Sequence, residues 1–342
     1  MLDLSNNLIE FIDIKCFWNN SNLEVLKLGN NKIKYLDELL FSKLYKLNTI
    51  NLTGNQLVSL NKHLLNLNQL KNVYISNNPL RYLKYIGKTT LLLDLSNTGF
   101  DFYNFFHLRN LTDLLDIDFS YNRLNKNIMN SLYLNKLKSI KRLILIRIGF
   151  KSNDSIKFLN NLDSIEELDF SDNNFRKNDG KFMQNSRGLK FLKLRNCSIK
   201  FIDRSFFDLT RFLNLQYIDM SFNSIKEISF KTQLPIFLQY INFSHNHILK
   251  FNQMYFYSLL NIDLSFNQIS DLHFVHNRDK NKNPINIIIN NNNLSSLDEI
   301  SGENFFTFNN NLEEVCYYHQ KDSIFMNFNN NKIRFLSSKC LY

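Results

Sequence analysis

A leucine-bearing pattern returns about every 24 residues along the whole chain, and few folds can accommodate such a period. Written L-x-x-L-x-L-x-x-N-x-L, it is clearest at Leu23, Leu26, Leu28, Asn31 and Ile33. It recurs at Leu47, Ile50, Leu52, Asn55 and Leu57, and at Leu215, Ile218, Met220, Asn223 and Ile225. The Asn place falls at Asn7, Asn31, Asn55, Asn78, Asn122, Asn173, Asn223, Asn246, Asn267, Asn292 and Asn331, with Thr98, Ile148 and Cys197 standing there in three other repeats. Successive gaps run from 20 to 26 residues until a last gap of 39, which is expected to hide a degenerate repeat around Phe306-x-Phe308-x-x-Asn311.

The pattern has a mechanical meaning. Leu-x-Leu is a short strand whose two leucines point inward while the residue between them points out. The chain then turns, and a buried Asn side chain satisfies backbone groups of its own and the adjacent turn. An unpaired buried backbone group costs roughly 1–3 kcal/mol, so a small polar residue belongs there. Thr98 and Cys197 are weak substitutes, and Ile148 offers no hydrogen bond at all. Phe17, Phe41, Leu64, Leu159, Met183 and Leu209 each precede the next repeat's first leucine by six residues and are expected to close each coil from the far side. No repeat buries its own apolar face, so stability must come from stacking.

Composition enters mainly as exclusion. The 342 residues are 44% hydrophobic and 21% charged, too apolar for a disordered chain. No run of 18 apolar residues exists to span a bilayer. Met1 runs directly into Leu2-Asp3-Leu4-Ser5 without a leader pattern, and four Cys do not make a disulfide scaffold. Alanine is absent and Asn numbers 55, the residue usage of AT-rich codons. The net charge of +10 therefore carries little functional weight, and no nucleic-acid partner is expected from it.

Repeats such as Leu93-Asp94-Leu95-Ser96, Ile218-Asp219-Met220-Ser221-Phe222-Asn223 and Ile262-Asp263-Leu264-Ser265-Phe266-Asn267 resemble leucine-rich repeat proteins of the typical 24-residue extracellular class, including chaoptin-like proteins and Toll-like receptor ectodomains. The resemblance implies an α/β solenoid: a leucine-rich repeat horseshoe of about 14–15 repeats, with a parallel concave β-sheet and an irregular or short helical convex side. A single solenoid over 1–342 is expected. Cys-rich flanking caps are missing, so the chain is expected to be a fragment without its N- and C-terminal caps. The resemblance further implies a cell-surface or secreted adhesion or receptor ectodomain, binding a macromolecule on its concave face. Two alternatives are a fragment of a Toll-like pattern-recognition receptor and an intracellular scaffold regulating an enzyme on another chain. A cytoplasmic location goes with the last.

Three surface features stand out by position. The residue between the strand leucines is Asp at 3, 94, 118, 169, 219 and 263, and a Ser column runs beside it, giving a polar, partly acidic stripe. Between Asp118 and Asp169, Ile144 and Ile146 take outward places. The segment Phe119 to Asn153 holds eight basic residues, among them Arg142 and Arg147, and no acid. This is expected to form an apolar patch rimmed by cations, fit for a protein, an anionic glycan or a lipid headgroup. On that reading Ile144→Asp leaves folding intact and weakens binding. Finally, Tyr217, Phe222, Tyr240, His245 and Phe266 are expected to project from the concave face or its edge in three consecutive repeats, as aromatic anchors do. The partner is expected to be another protein, including a second copy of this chain.

Catalysis has no support. There is no glycine-rich phosphate loop, nucleophile elbow or H-E-x-x-H, and neither His245-x-His247 nor His273-x-x-His276 makes a metal site. No cofactor or metal is expected. Seven N-x-S/T sequons, at Asn19, Asn51, Asn110, Asn153, Asn196, Asn242 and Asn293, are about what this Asn content yields by chance. Cys316 and Cys340 are candidates for a disulfide.

Overall fold

The structure is a computed structural model. It describes residues 1–60, 67–83, 86–99, 108, 111–123, 137–151, 163–175, 187–202, 212–228, 235–252, 258–273, 285–295, 304–316 and 326–337. Of the far-side residues expected above, Leu64, Leu159, Met183 and Leu209 lie outside these, as does Cys340.

Two compact units make up the chain. One comprises Met1–Phe150 and Asp154–Phe170, the other Lys151–Asn153 and Ser171–Tyr342. In each, the repeats stack through parallel strands in register. In the first unit Leu26 lies beside Leu2 and Ile50, Ile50 beside Val73, and Leu143 beside Ile117 and Leu168. In the second, Leu192, Ile218, Ile241, Ile262 and Ile287 form one continuous file. Apart from the half-buried Leu2 of the first strand, these central residues are almost completely buried, as are the inward partners two places on, such as Leu28, Leu145, Met220 and Leu264. At about 25 cal/mol per Å² of apolar area, that file of side chains is the main stabilising term.

The Asn ladder forms as the pattern requires. Asn55 accepts the Ile33 amide at 3.0 Å and donates Nδ2 to the carbonyls of Leu28 and Leu52. Asn78, Asn246, Asn267 and Asn292 repeat the arrangement. The degenerate repeat is present, but one residue earlier than expected. Phe305 stands beside Ile287, Thr307 is the buried inward residue, and Asn310, not Asn311, accepts the Leu294 amide at 3.1 Å. A small Thr in the second inward place disguised the register, while Phe308 remains half-exposed.

Where the ladder residue is not Asn, the backbone adjusts. The Cys197 carbonyl accepts the Phe175 amide at 2.8 Å, the duty an Asn Oδ1 performs elsewhere. The next residue, Ser198, sits at φ 59°. Gly99 and Gly149, which follow Thr98 and Ile148, also have positive φ. Ile148 is therefore tolerated, fully buried, because Gly149 takes a conformation that costs glycine little.

Among the described residues the far side carries no α-helix. It consists of turns and short parallel strand pairs, Ser59–Leu60 with Tyr82–Leu83, Phe201–Ile202 with Glu227–Ile228, Lys250–Asn252 with Asp271–His273, and Glu314–Cys316 with Phe335–Ser337. Phe17 and Phe41 do close adjacent coils there, stacked at 6.2 Å.

One backbone feature was not anticipated. The residue just before the ladder place has positive φ throughout: Asn6, Asn30, Gly54, Asn77 and Asn97 in the first unit, Asp172, Asn196, Asn291, Asn309 and Asn330 in the second. Asn, Asp and Gly are the residues for which this left-handed conformation is least costly. Their side chains pair between coils, Asn30 to Asn6 at 2.9 Å and Asn97 to Asn77 at 2.8 Å. A Cβ at Gly54 would meet Oδ1 of Asn30, the movable end of a flexible side chain. Gly54→Asn is thus expected to cost less than about 1 kcal/mol, and Gly54→Val about 2–3 kcal/mol, because a β-branched residue suits neither the φ nor the space. Urea unfolding of the two variants checks this, and equal losses would show that the conformation is unimportant.

Candidate functional site

At the place just before the ladder residue, five of the described positive-φ residues are not Asn, Asp or Gly: Tyr121 and Arg147 in the first unit, Phe222, His245 and Phe266 in the second. A bulky side chain there stores roughly 1–2 kcal/mol of backbone strain. The three in the second unit are consecutive. Their rings form one column, Phe222 on His245 at 4.1 Å and 19°, His245 on Phe266 at 4.3 Å and 7°. Arg195 caps it, its guanidinium 3.8 Å from the centre of the Phe222 ring and its Nη1 3.3 Å from Ser221 Oγ. Phe222 and Phe266 remain 40% and 48% exposed.

A second aromatic file runs along the beginnings of the same strands. Phe191, Tyr217 and Tyr240 are in register, with ring centres 6.3 and 6.4 Å apart and planes tilted by about 40°. Between the two files lies a polar floor of Asp219, Asn242 and Asp263, in register on adjacent strands, and the buried Ser221, Ser244 and Ser265. Each carboxylate is fixed by its own turn: Asp219 Oδ1 accepts the Ser221 amide, and Asp263 Oδ1 accepts both the amide and the hydroxyl of Ser265. Asn242 accepts from Ser244 in the same way. The five aromatic residues expected from the sequence are thus brought together. Phe191 and Arg195 join them, and were missed because neither belongs to the Ser-Phe-Asn wording of the later repeats. Phe191 stands at the place of Tyr217 and Arg195 in the Ser column, so alignment of the repeats column by column would have found both.

The basic segment looks different from its expectation. Ile144 does occupy the outward place, beside Asp118 and Asp169, yet it is only 6% exposed. At that exposure it presents no open apolar patch. Arg142 spends its charge on both neighbouring strands, 3.1 Å from Asp116 and 3.1 Å from Glu167, and Lys141 pairs with Glu166 at 3.2 Å. Ile146 is half-exposed and Arg147 exposed, while Lys126 and Lys136 lie outside the described residues. Burial pushes the Asp116 carboxyl up, partly offset by Arg142, and burial likewise raises that of Asp118.

Among the described residues, no group of three or more His, Cys, Asp or Glu could hold a metal ion, and no helix is long and apolar enough to cross a membrane. His247 lies 3.4 Å from Gln268, Cys16 is an exposed thiol, and the buried Cys197 donates its thiol to the Arg195 carbonyl at 3.4 Å.

With this geometry in view, the comparisons with known proteins are direct. The leucine rich repeat family pattern matches residues 1–57 and again 21–80. No curated protein sequence matches the chain. Among solved structures, a TLR13–ssRNA13 complex is similar over 98% of this chain and 53% of that one, with 18% identity and a TM-score of 0.64. The leucine-rich repeat domain of APL1B is similar over 93% and 82%, with 20% identity and a TM-score of 0.51. Toll of Drosophila, in complex with Spatzle, is similar over 85% and 41%, with 20% identity and a TM-score of 0.56. The chain therefore carries the leucine rich repeat pattern over its first 80 residues, and its fold is that of a leucine-rich repeat solenoid, similar to the folds of TLR13 and Toll. It spans about half the length of the TLR13 chain and less than half of the Toll chain.

Proposed function

We propose that the chain is a non-catalytic recognition module of a cell-surface or secreted protein, binding a protein partner on the concave face of the unit that contains Ser171–Tyr342. The observation that carries this reading is the exposed column Phe222–His245–Phe266, held at backbone positions where a smaller polar residue would be less strained. Strain retained in three consecutive repeats needs a compensating use, and exposed aromatics beside an Arg are the composition of interface anchors. The rings stand face to face and Arg195 lies over the other face of Phe222, so the faces between them are closed to stacking. That suits a packed protein surface better than stacked bases or sugars. The likeness to receptor ectodomains that bind macromolecules points the same way, and supports an extracellular setting over the cytoplasmic scaffold. The anionic-headgroup reading of 123–151 is weaker, since Arg142 and Lys141 already pair with acids.

A randomised peptide library displayed on phage tests the proposal while the partner is still unidentified. Peptides selected on the full chain should lose at least about tenfold in affinity when Phe222, His245 and Phe266 are all changed to Asn, about 1.4 kcal/mol or more. Peptides that bind the triple variant equally well would place the binding surface elsewhere.

A further inference from the structure

The trough between the two aromatic files says more about its occupant, and the argument rests on the reading just given. Its floor over the strands Tyr217–Asp219, Tyr240–Asn242 and Asn261–Asp263 offers two carboxylates and no cation. Lys193 and Arg195, on the strand before and just after it, close one end. Asp219 and Asp263 are held through Oδ1 alone, so that among the described residues Oδ2 of each has no hydrogen-bond partner. The flanks are Tyr217 and Tyr240 on one side, and the edges of Phe222, His245 and Phe266 on the other. Carboxylates with an unused oxygen favour an alkylammonium or guanidinium group over a neutral or anionic one.

Spacing narrows the choice. Asp219 and Asp263 are two strands apart with Asn242 between them, a separation of about 9.6 Å at the usual strand spacing. A polyproline II segment rises about 3.1 Å per residue with three residues per turn, so side chains at i and i+3 fall on one face about 9.3 Å apart. We propose that this trough takes an extended, proline-rich segment of the partner that carries Lys or Arg three residues apart, one cation over Asp219 and the next over Asp263. Such a segment lies across the strands, and its prolines pack against Tyr217 and Tyr240 as polyproline ligands pack on aromatic grooves.

Fluorescence anisotropy with labelled synthetic peptides tests this on the full chain. A Pro-flanked Lys-Pro-Pro-Lys peptide should bind at least about tenfold tighter than Glu-Pro-Pro-Glu, and tighter than a peptide with the two Lys adjacent. The double variant Asp219→Asn with Asp263→Asn should lose about tenfold or more of that affinity. It is expected to fold, since Asn242 already makes the same turn bonds at the same place, and circular dichroism checks that it does. Equal binding of the three peptides, or no loss in the double variant, overturns the inference. If the phage library instead yields peptides that depend on Phe222 and Phe266 but carry no basic pair, the recognition surface stands and its basic, polyproline specificity falls. If no ring-dependent peptide of any kind emerges, the surface itself is refuted.

Discussion

Asn246→Ala is expected to lower unfolding free energy by about 3–5 kcal/mol, while His245→Asn, one residue away, changes it by no more than about 1 kcal/mol. The ladder side chain accepts the Ile225 amide at 3.0 Å and donates to the carbonyls of Met220, Phe243 and Ser244. Alanine leaves these groups buried without partners, each worth roughly 1–3 kcal/mol in part relieved by relaxation. His245 is a different case. Its φ of 53° is unfavourable for imidazole and acceptable for Asn. The relief offsets the loss of two ring contacts worth roughly 0.5–1.5 kcal/mol each. Urea titrations of both variants decide the matter. If His245→Asn were as damaging as Asn246→Ala, the aromatic column would be a structural element, and the case for binding would weaken.

Ile144→Asp is expected to cost about 2–4 kcal/mol at neutral pH and much less near pH 4. The new carboxylate would stand in register between Asp118 and Asp169, at a place only 6% exposed. Burial already raises the Asp118 carboxyl above its ordinary 3.8. A carboxyl raised in the folded state binds protons more tightly there than in the unfolded chain. Its destabilising influence is therefore absent below about pH 3.8 and grows as pH rises through the folded value. The substituted residue should follow the same sign more strongly. Measuring the difference from the parent chain at pH 4 and pH 7 isolates the charge, with Ile144→Thr as the uncharged control. An equal loss at both pH values would assign the effect to packing instead. This reverses the simpler expectation that the change leaves folding untouched.

Much of this molecule was legible because the repeat imposes periodicity. Leu26, Ile50, Ile218 and Ile262 identify strands and their inward faces at once, and the Asn place predicts its own hydrogen bonds. Two failures are instructive. The shift from Asn311 to Asn310 arose because Thr307 fills an inward place where an aliphatic was sought. The misreading of Ile144 arose because outward position was equated with exposure, although neighbouring side chains in a tight parallel stack can cover one another. The trough was half legible: aromatic residues announce themselves, but their strained backbone and the Arg195 cap are properties of the turn in three dimensions.

The three ladder substitutions at Thr98, Ile148 and Cys197 also bear on how the molecule comes apart. Side-chain amides couple each coil to the next, so neighbouring coils that share them should open together. At Cys197 the coupling passes through the backbone carbonyl instead, at Thr98 the Leu80 amide turns to Asn78 of its own coil, and all three substitutions are followed by positive φ, at Gly99, Gly149 and Ser198. Native-state hydrogen exchange is then expected to show amide protection falling in steps at these coils rather than uniformly along the chain. The protein would melt in blocks, each bounded by the loss of an asparagine, and its mechanical compliance would be concentrated at those same joints.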